Sequence, residues 1–442
     1  MSDLGDAAKF VGGLYRQRAG TTLAAYVRRD KLALLQRRPG RDNPYRIYAQ
    51  LRERGPIVPG RYGGLATPSH RVCNAVLRDR RFGTRPPEGY PRSPQDEIEA
   101  SFLTMNPPDH TRLRKLALPA FSPRAVATYA GKIEQTVSGL LDQAASAGEF
   151  DLVPQFAAAL PIAVITELLG IPDGNAAEFA EHGALLGSAL DGISSLRHAA
   201  ALQQSQAKIL AMFEQLFELR RREPRDDVVS QLVAAEGDQI QPGEMLPMCM
   251  VLLIAGFETT VNLIGNGVLA LLDHPTSWRE LQADPVGLAP RVVEETLRFD
   301  PPVQRTSRYA LEDLELEGTR VRKGQEVTTL LGAANRDPLV YENPDVFDIH
   351  RDPGAEHLAF SSGIHYCIGA PLARLEATIA FRMLAERMPG LCRTGPVQRR
   401  NATLIRGPLH VPVSAGHPPA GLPAAKGRDH VPDQPEAEHA RA

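Results

Sequence analysis

The 442-residue sequence predicts a mainly α-helical fold with a smaller β portion. Three observations carry that prediction: apolar residues recur at helical spacing, strand-like pieces are short and lie in the second half, and no linker, repeat or sustained charge block interrupts residues 42–415. Taken in order, residues 109–118 carry Leu113, Leu116 and Ala117 on helical spacing and stop before Pro119. Residues 160–169 follow a proline-marked start, 200–222 make a long polar and apolar helix, and 244–272 make a longer one. Segments 290–299 and 371–388 complete the helical set, and 308–316, 326–331 and 409–413 read as strands.

Residues 42–415 therefore read as one large domain. Residues 1–41 form an arginine-rich N-terminal extension whose order the sequence leaves open. Residues 416–442 are rich in proline, alanine and charge without an apolar period, so a disordered tail is expected.

Composition excludes several function classes. Fifty Lys and Arg against 52 Asp and Glu leave a net charge of −2, which offers no basic excess for a nucleic-acid backbone. The four cysteines, at 73, 249, 367 and 392, never form a Cys-x-x-Cys pair, so neither a disulfide framework nor a zinc site of usual spacing is expected. They suit a reducing cytoplasm, and a cysteine that matters must act alone. The first 20 residues mix charge into their apolar positions, unlike a signal peptide. The apolar runs 152–166, 245–257 and 259–272 each fall short of the roughly 20 residues of a membrane span, so a soluble protein without a span is expected.

The chemistry concentrates around Cys367, in Phe360-Ser-Ser-Gly363-Ile-His365-Tyr-Cys367-Ile-Gly369-Ala-Pro371-Leu-Ala-Arg374. A lone cysteine is ordinarily a small buried hydrophobe. Here Gly363 and Gly369 bracket it, allowing a tight loop whose amides point at one sulfur, and Pro371 suits the first turn of a following helix. A helix N-terminus and loop amides stabilise a thiolate. With no second cysteine nearby, a single axial thiolate on haem iron fits better than zinc or an iron–sulfur cluster.

A second stretch, Ala255-Gly256-Phe257-Glu258-Thr259-Thr260, sits in the longest apolar helix. It can be read as a buried helix with a local kink, Thr259 bonding back to the Ala255 carbonyl. That reading leaves Glu258 unexplained, because an unpaired acid in apolar surroundings costs several kcal/mol.

The segment around Cys367 resembles the haem-binding signature of the cytochrome P-450 superfamily, in the form typical of soluble bacterial members; Ser361 stands where the usual pattern has glycine. The resemblance implies a single-domain fold enclosing a buried haem b, with Cys367 as its proximal thiolate ligand and metal ligand, Phe360 packed beside it, His365 near a propionate, and Gly363 and Gly369 shaping the cofactor loop. Ala255-Gly256-x-Glu258-Thr259 resembles the family's oxygen-activation motif, which makes Thr259 and Glu258 the catalytic pair that delivers protons to dioxygen and sets Ala255 and Gly256 against the cofactor where the helix opens. The resemblance also joins Glu295-x-x-Arg298 to Arg351 as structural support of the pocket, includes Ala334–Pro338, and makes His110, Arg114 and Arg308 further propionate contacts. Arg112 and Lys115 read either as an acidic-ferredoxin contact or as a solvated face.

By the same analogy the substrate cavity is walled by residues 89–103, 179–196, 253–257, 303–306 and 402–404, which implies a lipophilic substrate such as a terpenoid, fatty acid, steroid or polyketide. The implied activity is a haem-thiolate monooxygenase, an oxidoreductase that inserts one oxygen atom of dioxygen. Electrons are expected from NAD(P)H through a reductase and a ferredoxin, since the chain carries no flavin or iron–sulfur motif. The alternatives are a peroxide-driven peroxygenase or isomerase, and a non-catalytic haem-binding sensor.

Overall fold

Residues Met245–Asp273 are apolar on nearly every side, a pattern stable only in a helix surrounded by other elements. They form one continuous 29-residue helix. The computed structural model describes residues 19–60, 63–90, 101–191, 193, 195–352 and 354–416. Most of the expected tail, 417–442, and the first 18 residues of the extension lie outside the described residues. The rest of the extension includes helices Lys31–Leu35 and Arg38–Asp42, and buried Ala33 and Leu35 fold it onto the body.

The principal helices are α1 (Tyr45–Arg52), α2 (His70–Arg78), α3 (Asp109–Ala117), α4 (Ala130–Ala147), α5 (Ala159–Leu169), α6 (Asp173–Gly187), α7 (Leu196–Arg222), α8 (Met245–Asp273), α9 (Pro285–Phe299) and α10 (Ala370–Arg387). Helix α8 packs against α5, α6, α9 and α10, and α9 lies along α10. A Cβ at Gly256 would stand 2.8 Å from Ile165 Cδ1, so glycine there lets α5 close on α8. Helix α8 is long and apolar enough to cross a membrane, but 72% of its most apolar window is buried within the fold, as expected of a central core helix. The single helix agrees with the expected 244–272; the apolar runs 245–257 and 259–272 both lie on it, and Glu258 between them meets Arg400 and Asn262 inside the fold.

A five-stranded sheet flanks the helices, its strands in spatial order Val58–Pro59, Leu65–Thr67, Glu326–Thr329, Thr306–Ala310 and Phe82–Gly83. Leu65–Thr67 and Glu326–Thr329 run parallel; the other neighbours are antiparallel, with Arg308 opposite Val327. The expected strand 308–316 is two strands, Thr306–Ala310 and Leu314–Leu316, in different sheets. Residues 409–413 likewise divide between Pro408–His410 and Pro412–Ser414. Helix α9 starts five residues before the expected 290, because the Asp284 carboxylate accepts the Gly287 amide at 2.9 Å and Pro285 occupies the first turn.

The end of α9 is tied to the following chain by a buried ion pair. Arg298 Nε and Nη2 donate to the two Glu295 oxygens at 2.7 Å each, and both side chains are under 5% exposed. The same guanidinium donates to the carbonyls of Asn335, Pro344 and Val346, while Arg351 Nε lies 3.3 Å from Glu295 Oε2. These bonds fix residues 335–351 against α9, the helix that runs beside α10. Removing one member leaves the other charge buried and unpaired. Arg298→Met is therefore expected to lower the unfolding free energy by about 3–5 kcal/mol, read as a lower urea midpoint; an unchanged midpoint would contradict this role.

Candidate functional site

The loop before α10 is built from tight backbone turns. Ser361 and Gly363 both adopt left-handed conformations, at φ +63° and +69°. A Cβ at Gly363 would collide with the Leu77 carbonyl oxygen, so only glycine lets the loop lie against α2. Ser361, where the resemblance expects glycine, takes the glycine conformation all the same. A non-glycine residue there costs roughly 1–3 kcal/mol, and its buried hydroxyl makes no hydrogen bond. The loop closes where the Cys367 amide donates to the Phe360 carbonyl at 2.9 Å.

Cys367 then stands three residues before α10, whose start is set by Gly369 at the cap and Pro371 in the first turn. Its side chain retains accessible surface, yet desolvation by the surrounding protein is the largest influence on the thiol and raises its pKa. The Gly369 amide, Arg114, Arg374 and the Ala370 amide all act in the opposite direction, toward the thiolate. Arg374 is held by Glu294 at 2.6 Å and lies 4.6 Å above the Phe360 ring. Among the described residues no group of three or more His, Cys, Asp or Glu side chains forms a metal cage, so Cys367 is a solitary sulfur donor.

Four cationic or protonatable side chains gather beside this loop. The rings of His110, from α3, and His365 lie 4.1 Å apart. Arg114, one turn after His110, donates to the Tyr366 carbonyl. Arg308 is 4% exposed and donates to the Ser307 carbonyl at 2.8 Å and Thr306 Oγ1 at 3.2 Å. Burial, then Arg114 and Arg308, pushes His110 down to about 4; burial, then Arg308, His110 and Arg114, pushes His365 down to about 2. Desolvation brings Arg308 down to about 10. Neither nitrogen of the buried His110 ring has a hydrogen-bond partner. Among the described residues no carboxylate lies within 4 Å of Arg114 or Arg308. This concentration of donors without a counter-charge is suited to an anion.

On α8, Ala255 is exposed and Gly256 and Thr259 are partly accessible within an otherwise buried stretch, whereas Glu258 is 4% exposed. Thr259 Oγ1 donates to the Ala255 carbonyl at 3.1 Å and Thr260 Oγ1 to the Gly256 carbonyl at 3.4 Å. The expected opening of the helix is thus not a break: α8 is continuous there, and the two hydroxyls serve its carbonyls.

Arg112 differs from its expected role at a partner surface. It donates to both Glu244 oxygens at 2.7 and 2.8 Å, to Asp109 at 3.0 Å and to the Gln239 carbonyl at 2.7 Å, so it ties α3 to the chain entering α8; Lys115 stays exposed. Arg400 and Arg374 were missed by sequence reasoning. The signal for Arg400 was Glu258 itself, since a buried acid requires a cation.

Of the expected cavity walls, residues 91–100, 192 and 194 lie outside the described residues. A cleft of about 730 Å³ opens between residues 85–90, the start of α3 and the chain entering α8, lined by Tyr90, Met105 and Pro247 together with Arg85, Glu88 and Glu244. It does not include Ala255–Thr259.

Comparison with known proteins places this geometry. The Cytochrome P-450 family model matches residues 284–387. The biotin biosynthesis cytochrome P-450 of Bacillus subtilis is 40% identical over 359 residues, covering 79% of this chain and 90% of the relative. The 6-deoxyerythronolide B hydroxylase of Saccharopolyspora erythraea is 36% identical over 394 residues, covering 84% and 95%. Among solved structures, P450BioI in complex with acyl carrier protein ligated to hexadec-9Z-enoic acid aligns with a TM-score of 0.79 at 38% identity, covering 84% of this chain and 98% of that one.

The depressed His110 has a measurable consequence. Below pH about 6.5 the unfolded imidazole takes up a proton that the folded one refuses until about pH 4. Its contribution to stability is therefore complete above that window and is lost as pH falls through it. In the cofactor-free protein, urea midpoints should fall more steeply between these pH values than in His110→Asn; equal slopes would contradict the environment assigned to His110.

Proposed function

Since the chain belongs to the cytochrome P-450 family and is an oxidoreductase of that family, with monooxygenase chemistry on lipophilic molecules, we propose that Cys367 holds a haem iron through its thiolate. The observation that carries this reading is the gathering of His110, Arg114, Arg308 and His365 beside Cys367, with both His110 nitrogens lacking partners. A haem b brings two propionates to such a site, and the unopposed cations supply the charge and donors to hold them. The amides of Gly369 and Ala370 and the guanidiniums of Arg114 and Arg374 favour the anion that a metal-bound sulfur must be. Phe360 and Gly363 shape the same loop.

When bound, the haem supplies the electron and dioxygen chemistry that side chains lack. The chain's own residues then orient, shield and move protons. Thr259 offers a hydroxyl on the accessible side of α8, and Glu258 is the neighbouring acid from which protons are relayed; such proton transfer contributes about 10²–10⁴ in rate. Ala255 and Gly256 leave room beside that hydroxyl. The Glu295, Arg298 and Arg351 bonds support the chain that runs toward Cys367.

Electrons come from NAD(P)H through a ferredoxin reductase and a ferredoxin, in the cytoplasm, where the unpaired cysteines remain reduced. Within the lipophilic classes, the named relatives favour acyl or polyketide chains over terpenoids and steroids, since one is the 6-deoxyerythronolide B hydroxylase and another binds a fatty acyl group on a carrier protein. The intact Glu258–Thr259 pair favours a monooxygenase over a peroxygenase, an isomerase or a non-catalytic sensor.

With redox partners and an acyl or polyketide substrate, NAD(P)H consumption should depend on substrate and yield an oxygenated product. Thr259→Ala should keep the haem yet reduce product per NAD(P)H by at least ~10-fold, releasing the reducing equivalents as peroxide. Unchanged coupling would count against the proton-relay role, and turnover with peroxide alone would favour the peroxygenase.

A further inference from the structure

Glu258 and Thr259 are adjacent in sequence, but a helix turns successive side chains about 100° apart. Thr259 points to the accessible side of α8. The Glu258 carboxyl points away from it, into a site made by three elements. Its Oε1 is ion-paired with Arg400 Nη1, and Asn262 Nδ2, one turn along α8, lies 3.4 Å from the same oxygen. The third element is α6, whose Gly187 lies so close that a Cβ there would stand 3.2 Å from Glu258 Oε2. The side chains of Arg400 and Glu258 are 13% and 6% exposed.

Arg400 is carried to this position by a rigid support. It follows strand Gln398–Arg399, which pairs with Pro408–His410, and its amide donates to the Gly407 carbonyl at 3.1 Å. Gly407 lies against Asn262 with no room for a Cβ, and Asn266 donates to the Arg406 carbonyl at 3.1 Å, so the hairpin is fastened to α8 one and two turns beyond the acid. Arg406 also binds Asp300 at 2.7 Å, which anchors the tip to the end of α9.

We propose that Arg400 is a positioning residue for proton delivery: it holds Glu258 as a carboxylate on the hairpin side of α8, so the acid serves the Thr259 side only by leaving this contact. The assignment rests on the acid–alcohol reading given above. It extends that reading by naming the group that sets the charge and direction of the acid. No hydrogen bond joins Glu258 to Thr259 among the described residues, as a retracted acid requires. The contacts place Asn262 from α8, the Gly187 backbone from α6 and Arg400 from the hairpin against Glu258, and of these three Arg400 is the charged one.

The test uses the haem-loaded enzyme with its redox partners and compares Arg400→Met, Arg400→Lys and Glu258→Gln. Loss of the cation should raise the pH at which the buried acid ionises, by ~1–3 units. In Arg400→Met the pH profile of kcat should therefore move upward by at least ~1 unit, while KM stays within about twofold, and Arg400→Lys should restore most of the parent profile. Infrared spectra supply a readout independent of turnover. A protonated-carboxyl band should appear at neutral pH in Arg400→Met and be absent from the parent and from the Arg400→Met, Glu258→Gln double variant. A folded Arg400→Met protein with the parent's pH profile and no new band overturns the assignment, while Glu258→Gln still slowed leaves the acid–alcohol reading standing. Parent-like turnover in Glu258→Gln overturns both. If Arg400→Met fails to fold, Arg400→Gln, which keeps a hydrogen-bond donor and removes the charge, carries the test: an upward-shifted profile with a new carboxyl band supports the assignment, and a parent-like profile without the band overturns it.

Discussion

In the proposed function, presenting one sulfur as an anion inside a protein is the demand that the rest of the structure serves. Burial alone drives the Cys367 thiol toward its neutral form, and the structure counters this with dipoles and charges rather than with a second ligand. Each counterweight has a structural origin. The amides of Gly369 and Ala370 come from the start of α10, Arg114 comes from α3, and Arg374 is held one turn into α10 by Glu294 from α9. The loop reaches its place only because Gly363 and Ser361 accept left-handed conformations. Cys73 and Cys249 show the contrast. Both are fully buried and desolvation raises each, Cys249 with nothing opposing it and Cys73 against hydrogen bonds at Leu330 and Thr67, while no cation lowers either.

Polar groups in the interior fall into two sets. One set is fully paired and fastens elements together, as Arg298 does with Glu295 and three carbonyls, and as Arg406 does with Asp300. The other set is left with donors and no counter-charge, as in His110 and Arg308. The first set costs desolvation but gains defined geometry. The second makes sense only beside an anionic ligand, and it lies where the sulfur loop is. Glu258 belongs to the first set by its contacts and, in the proposed function, to the reaction as well, which is why its partner matters.

How much was legible in the sequence follows from the range of the interactions. The segment 360–374 could be read because its constraints are local: two glycines, a cysteine and a proline at fixed offsets specify a loop and a helix start. The Glu295 and Arg298 pair was legible for the same reason, being three apart on one helix. Helix ends were less so, since α9 starts from an Asp284 cap that the proline at 290 obscured. The strands 306–310 and 314–316 merged in the sequence because their division depends on pairing partners far along the chain. Arg400 could not be assigned, because 142 residues separate it from Glu258 and only the fold brings them together. Arg112 was read as available at the surface, whereas Glu244, distant in sequence, occupies it.

The central claim is that a thiolate at position 367 holds the cofactor. The most direct measurement is the absorption spectrum of the reduced protein with carbon monoxide. A thiolate ligand at this position gives the long-wavelength Soret band of a thiolate-ligated haem, retained when Cys73, Cys249 and Cys392 are each replaced by serine and lost to a shorter wavelength in Cys367→His. Survival of the long-wavelength band in Cys367→His would contradict it.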